Sequence, residues 1–538
     1  MPQHISSWFT NLSPQFAGIA QRPRLTLALI GGLAFAGSAA IGLIGGIAEP
    51  TLHDEFSYLL AADTFAHFRL TNPTHPMWIH FESFHIIHVP TYMSKYPPAQ
   101  GAMLALGKLL TSYPIVGVWL SMGLMCAAIC WMLHAWVPPR WAVLGGLLSV
   151  LHPIVGSGGY WAQSYWGGAV AATGGALVLG GIRRLLKEPQ VSQSLLTGLG
   201  FAILANSRPF EGLLLSICAA WILFFGFCWT DKIKTTLVVR KVILPLTFTC
   251  SITAAWMGYY NYRITGNVLR LPYQIHEETY SIAPLFVWQN PKPPPEYRHA
   301  RIRNFHRVYA MSYYNQKHSW LGFTRENLIY SLVYFILIAN VLTVPLLLSA
   351  RGLSRWVLNN RWARRAFATC TIVTIGIMLE TYTVFHYWAP ILSLSYYFIV
   401  QAIRLWWRRI RRIRPFIIPA IFCLVVMLLI IMVRKKIREE DNPLSAQAQR
   451  AGLLARLEQQ AGKHLVLVRY GAEQSQHREW VYNEADIDVA KVVWARDMDR
   501  IENCKLVDYF KDRIIWSLDV EGDDVPMKLN PFLRRSCQ

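Results

Sequence analysis

Two adjacent acids, Asp54-Glu55, stand a few residues beyond the first membrane-length apolar run of this 538-residue chain, with His53 before them and Tyr58 and Ala62 after. The run from Leu25 to Ile47 carries no charge and is long enough to cross a bilayer, which takes roughly 20 residues. Acids pinned to a hydrophobic boundary are costly, so they raise a functional hypothesis. A carboxylate in that place could serve as a general base or a metal ligand at the rim of a membrane cavity. An acid in the first turn of a helix also complements the helix dipole, and this capping reading fits the same residues. Further along the same loop, Lys95 precedes Pro97-Pro98 and could meet a phosphate, or snorkel to the interface. In Asn206-Ser207-Arg208-Pro209-Phe210-Glu211-Gly212, Pro209 and Gly212 break the helix, exposing backbone that must line a cavity or be covered by protein. Arg208 is there a candidate ligand for a phosphate or sugar, or the partner of Glu211 in a structural pair.

Histidine is concentrated between the first two apolar runs, at His53, His67, His75, His80, His85 and His88. His85 and His88 could clamp a metal if that stretch were helical. Without Cys or Asp neighbours at fixed spacing, the loop reads as polar and interfacial, and no metal ligand is assigned. The segment 156–168 is a glycine-flanked aromatic cluster, suited to an aromatic belt or a sugar-stacking platform.

The elements that must position these residues are membrane helices. Charged residues make up 15% of the chain, where soluble domains carry about 25%. The formal net charge of +21 is not that of a nucleic-acid binder, because the basic clusters (183–187, 351–365 and 404–414) lie in short connections between apolar segments. Apolar segments begin near Leu25, Ile115, Trp141, Gly167, Leu195, Gly212, Val242, Leu328, Ala366, Ala389 and Pro415, which gives about eleven spans. From a cytoplasmic N-terminus (1–24), alternation puts the three basic clusters inside. It puts the long loop 48–100, the loop 263–325 and everything after about 434 outside, with Arg434-Lys435-Lys436 as the one conflicting cluster. Within 48–100, Glu55 to Phe68 has the spacing of an amphipathic helix and Pro97 to Leu110 that of an interfacial one. The membrane domain extends over 25–433. From 439 to 538 the apolar runs shrink to strand length, at 465–468 and 514–518, which predicts a small soluble α/β domain. Most cysteines lie in apolar runs; Cys504 and Cys537, in the tail, could pair if it is extracytoplasmic.

The stretch Asp54-Glu55-Phe56-Ser57-Tyr58-Leu59-Leu60-Ala61-Ala62 resembles the first-loop signature of GT-C glycosyltransferases. More narrowly it resembles glycosyltransferase family 39, which includes protein O-mannosyltransferases and the lipid A aminoarabinose transferases. Ser94-Lys95-Tyr96-Pro97-Pro98 is similar to the Lys-Pro-Pro element of the aminoarabinose branch. It departs in having Ser94 where an acid commonly precedes the lysine, and Tyr96 inserted before the prolines, which counts against a bound metal and against aminoarabinose. The resemblance implies a GT-C fold, a polyprenyl-phosphate-linked sugar as donor, and a lipid, glycan or protein acceptor. It also implies a multi-pass protein of the bacterial inner membrane with its site on the extracytoplasmic side. In that reading Asp54 is the base, with Glu55 beside it as orienting or sugar-contacting acid. Lys95 and Arg208 hold the donor phosphate, and Tyr58, Tyr96 and Glu211 contribute to substrate binding. A divalent metal is compatible with this scheme and not required. The alternative from another class is a secondary transporter or flippase for a lipid-linked or polar substrate. Transporters place ionisable groups near the membrane midplane, whereas Glu380 and His386 fall near an outer end.

Overall fold

Each of the expected apolar segments is a helix in the computed structural model, which describes residues 18–228, 234–339, 343–409, 414–440, 445–471, 475–521 and 526–532. Among the described residues, six helices are long and apolar enough to cross a membrane: Pro23–Gly45, Ile115–Trp136, Pro209–Cys228, Thr235–Thr265, Trp320–Ile338 and Phe416–Lys435. The remaining helices of the bundle, Pro139–Leu151, Ala169–Leu185, Val191–Ala205, Arg361–Met378 and Leu392–Arg409, are shorter or less apolar. Proline opens several of them, at Pro23, Pro139 and Pro209, where the missing N–H is one the first turn would leave unpaired anyway. The protein is an integral membrane protein. Leu213, Ile217, Trp221, Phe224, Phe248 and Ile252 point outward from the bundle, as lipid requires of a surface with no water to avoid.

The bundle core is tight. A Cβ on Gly175 would sit 1.8 Å from the carbonyl oxygen of Pro390, so only glycine lets Ala169–Leu185 lie against the turn Phe385–Ile391. That contact fixes the turn carrying His386 and Tyr387. The aromatic segment 156–168, expected as a surface belt or stacking platform, is mostly interior. Trp161 and Tyr165 are buried, and the Gln163 amide donates to the Ser38 carbonyl at 2.8 Å.

The first long loop carries helices His53–Ala66 and Pro98–Thr111, joined by a small antiparallel sheet whose strands include Ile86–Ile87 and Thr91–Ser94. His53–Ala66 is not an amphipathic surface helix: ten of its residues are buried, among them Phe56, Leu60, Ala61 and Ala62. The reason is the soluble domain. Its sheet runs in the order Val492–Arg496, Lys463–Tyr470, Arg513–Val520 and Leu529–Pro531, parallel except at the last strand. Leu465, Leu467, Val493 and Phe510 of that domain share one apolar cluster with Leu60, Phe81, Ile86 and Tyr92 of the first loop. Polar ties reinforce it. Arg69 makes a two-pronged contact with Asp486 at 2.8 and 2.6 Å. Asp63 accepts from the Ala485 N–H at 2.7 Å, and Tyr92 donates to the Asn483 carbonyl at 2.9 Å. Cys537 lies outside the described residues.

Candidate active site

Helix His53–Ala66 begins where the loop leaves the bundle, so Asp54 and Glu55 occupy its first turn, at the positive end of the helix dipole. The two acids face different ways. Glu55 accepts backbone N–H groups from Thr51 at 2.9 Å, Leu52 at 3.1 Å and Tyr165 at 3.0 Å. It ties the helix start to the segment 156–168 and does not line the cavity, although the sequence set it beside Asp54 as a second site acid. Asp54 faces a cavity of about 630 Å³. One of its oxygens accepts from the Tyr96 hydroxyl and the other lies 3.1 Å from His53 Nδ1. His85 Nε2 stands 3.8 Å away.

The small sheet explains how Lys95 and Tyr96 arrive there. Ile86 pairs with Ser94, and the Lys95 N–H donates to the His85 carbonyl at 3.1 Å. Ser57, one turn along from Asp54, donates to the same carbonyl at 2.7 Å and meets the Ser94 hydroxyl at 2.7 Å. The hairpin is thereby pinned to the helix. Tyr96 stacks on Tyr58 with ring centres 4.6 Å apart. Lys95 lies over the Tyr273 ring at 4.5 Å, with its ammonium 3.4 Å from Glu277. Across the cavity, Arg208 sits over Tyr387 at 4.8 Å, its guanidinium 3.8 Å from Glu211. Asp54, Tyr58, Lys95, Tyr96, Arg208 and Glu211 therefore line one cavity, and Glu55 alone of the expected site residues does not.

Burial works to raise the Asp54 pKa, but His85, His53 and the Tyr96 hydroxyl outweigh it and hold the carboxyl well below its usual range. His85 is itself pushed well down by burial and by Lys95. Lys95 is lowered by burial against the pull of Glu277 and Asp54. Glu277 is lowered because Lys95 and His276 outweigh its burial. Glu380, also in the cavity wall, is pushed up to about 9 by burial and by Glu211, so it is a neutral acid at pH 7.

The loops around the cavity hold neutral imidazoles. Burial and Lys95 push His276 down to about 4, and burial pushes His88 down to about 3. Unfolded, each would titrate near about 6.5, so between the two values the unfolded chain binds more protons. Their contribution to stability is present above about pH 6.5 and is lost as pH falls toward the folded values. The thermal midpoint of the detergent-purified protein should therefore fall steadily as the pH is lowered from about 6.5 to 4. His276→Gln should flatten that slope; an unchanged slope would show that His276 is not held neutral.

The helical spacing that would let His85 and His88 clamp a metal is not formed, in keeping with the polar-loop reading. Ile86–Ile87 is a strand, so the two rings diverge, His85 toward Asp54 and His88 onto Tyr92 at 5.3 Å. Among the described residues, the cluster with cation-binding geometry is His53, Asp54 and His85, whose ligand atoms lie within 4.8 Å of one another. Both nitrogens of His53 are buried without a hydrogen-bond partner, so the donor set fits a divalent cation.

The sequence pointed to Glu277 only as part of a wide loop, and it gave no hint of Tyr273, Tyr309, Tyr382, Tyr387 or His477, all of which line the cavity. His477 carries no signal, since it belongs to the soluble domain.

No protein-family model matches the chain, and no curated protein matches it. Solved structures do. The crystal structure of ArnT from Cupriavidus metallidurans in the apo state aligns with a TM-score of 0.56 at 11% identity, over 95% of this chain and 93% of that one. The Archaeoglobus fulgidus oligosaccharyltransferase, crystallised in complex with Zn and sulfate, aligns with a TM-score of 0.51 at 10% identity, over 91% of this chain and 67% of that one. The likeness is one of fold, and the chain adopts the GT-C architecture.

Proposed function

We propose that this GT-C membrane protein transfers a sugar from a polyprenyl-phosphate donor to an extracytoplasmic acceptor, with inversion at the anomeric carbon. The observation that carries the reading is the convergence of the Asp54 carboxylate with two cations, Lys95 and Arg208, on a single aromatic-lined cavity. The two solved structures of like fold, named as ArnT and an oligosaccharyltransferase, support the class of reaction.

In this mechanism Asp54 takes the proton of the acceptor hydroxyl as that oxygen attacks the anomeric carbon. The bond from that carbon to the phosphate oxygen breaks, and polyprenyl phosphate leaves with the electron pair. Lys95 and Arg208 stabilise the charge that develops on the phosphate. Tyr96 orients Asp54 through its hydroxyl, Tyr58 supports Tyr96 by stacking, and Glu211 orients Arg208. Glu55 holds the helix start. In a bacterial cell the cavity would open on the outer side of the inner membrane, the face opposite the basic connections.

Mass spectrometry of envelope lipids and surface glycans tests the reading, comparing cells lacking the protein with the same cells carrying it. A species one sugar lighter should accumulate in its absence; identical profiles would overturn the proposal. A divalent cation held by His53, Asp54 and His85 would supply positive charge beside Asp54, but transfer by the residues above does not need it. Dialysis against EDTA should leave turnover unchanged; a loss reversed by added zinc would overturn that independence.

A further inference from the structure

The soluble domain reaches back into the cavity. The backbone of Arg478 bridges to Leu52, and the His477 carbonyl accepts the His53 N–H at 3.2 Å, so this segment holds the chain next to Asp54. On the opposite wall, Arg301 donates to the carbonyl of Ser475 at 2.6 Å and to that of Arg478. Residues 475–478 thus form a strap stitched to both long loops. The His477 ring meets Tyr309 edge-on at 4.6 Å, lies 5.6 Å from His53, and lines the cavity while only half-buried.

The cations surround Asp54 elsewhere. Lys95 lies with Glu277 and Tyr273, and Arg208 with Tyr387 and Glu211. An inverting displacement needs base and acceptor on the face of the sugar opposite the leaving phosphate. With the phosphate assigned to the Lys95 and Arg208 side, the His53 side of Asp54 is left for the acceptor, and His477 is there. Its ring offers one donor and one acceptor nitrogen, the complement of a hydroxyl-rich partner.

We propose that the C-terminal domain supplies the acceptor-side wall of the cavity, and that His477 is a specificity-determining residue that hydrogen-bonds a hydroxyl-rich acceptor beside Asp54. The proposal rests on the transferase reading above, and its test separates the two.

The full-length protein in detergent is supplied with the total anionic lipid extract of cells lacking it, as donor, and envelopes of the same cells, as acceptor. Product is followed by mass spectrometry as each is varied. His477→Phe keeps a ring against Tyr309 and removes both nitrogens. It should raise the half-saturating amount of envelope about tenfold, the equivalent of one lost hydrogen bond, and leave the dependence on lipid extract unchanged. His477→Asn, which keeps a donor and an acceptor, should recover most of the loss. Should the phenylalanine variant not fold, His477→Ala gives the same comparison. An unaltered envelope dependence, or a shift in lipid dependence instead, overturns the assignment of His477. Asp54→Asn is run alongside. Absence of product from the unsubstituted protein overturns the transferase reading itself and full activity of Asp54→Asn removes Asp54 as its base, whereas product from the unsubstituted protein together with wild-type behaviour of His477→Phe overturns the acceptor wall alone.

Discussion

Asp54→Asn should reduce transfer by about 10²–10⁴-fold, the range attributable to a positioned general base, while the protein stays folded. The substitution is close to isosteric. The amide oxygen still accepts from Tyr96, and Glu55 still holds the start of the helix through Thr51, Leu52 and Tyr165. What is removed is the capacity to take a proton. The neighbours that hold the Asp54 pKa low make it on their own a weak base. A donor phosphate beside Lys95 brings negative charge to the same place, which raises the carboxyl pKa and strengthens the base when substrate is present. Turnover and thermal midpoint measured on the same preparation decide the point. Near-normal turnover with an unchanged midpoint would remove Asp54 from the mechanism.

Lys95→Met should cost about 10²–10³-fold in turnover, the effect of deleting one group that stabilises developing charge. It should also destabilise the protein, because Glu277 is buried and would lose the ammonium 3.4 Å away. Removing one partner of a buried pair typically costs about 3–5 kcal/mol. The two effects separate in the double variant Lys95→Met/Glu277→Gln, which has no uncompensated charge. Stability should return in the double variant and activity should not. If activity returned with stability, Lys95 would be a structural partner of Glu277 and the phosphate would have to be held by Arg208 alone.

Much of this was legible in the residues because membrane helices announce themselves locally. An uncharged run such as Leu25 to Ile47 has one economical conformation in lipid, and Pro209 opens a new helix where a break was expected, although Gly212, read as part of that break, lies inside the helix. The site was legible only as far as it is local. Asp54, Tyr58, Lys95 and Tyr96 share one loop, and their types suggest the chemistry. The functions of Asp54 and Glu55 diverge for a reason no neighbour reveals: the N–H of Tyr165, 110 residues away, reaches Glu55. The helix His53–Ala66 was misread as amphipathic because its second face is covered by a domain more than 400 residues downstream, as the contact of Asp63 with Ala485, 422 residues along, illustrates. The His85–His88 pair failed for a similar reason, since pairing with Met93 and Ser94 drew Ile86 and Ile87 into a strand.

The apolar cluster shared by Leu60, Phe81, Ile86 and Tyr92 with Leu465, Val493 and Phe510 joins the first long loop to a domain made after the membrane helices. Domains generally form in order as the ribosome delivers them. Here the first loop must wait. By the time the soluble domain emerges, the described membrane helices have been made, and until then the helix bearing Asp54 lacks the contacts of Leu60 and Asp63 with that domain. The cavity is therefore complete only once the soluble domain has folded onto the first loop, and a nascent chain halted before that domain would be a membrane-embedded bundle with an unfinished site.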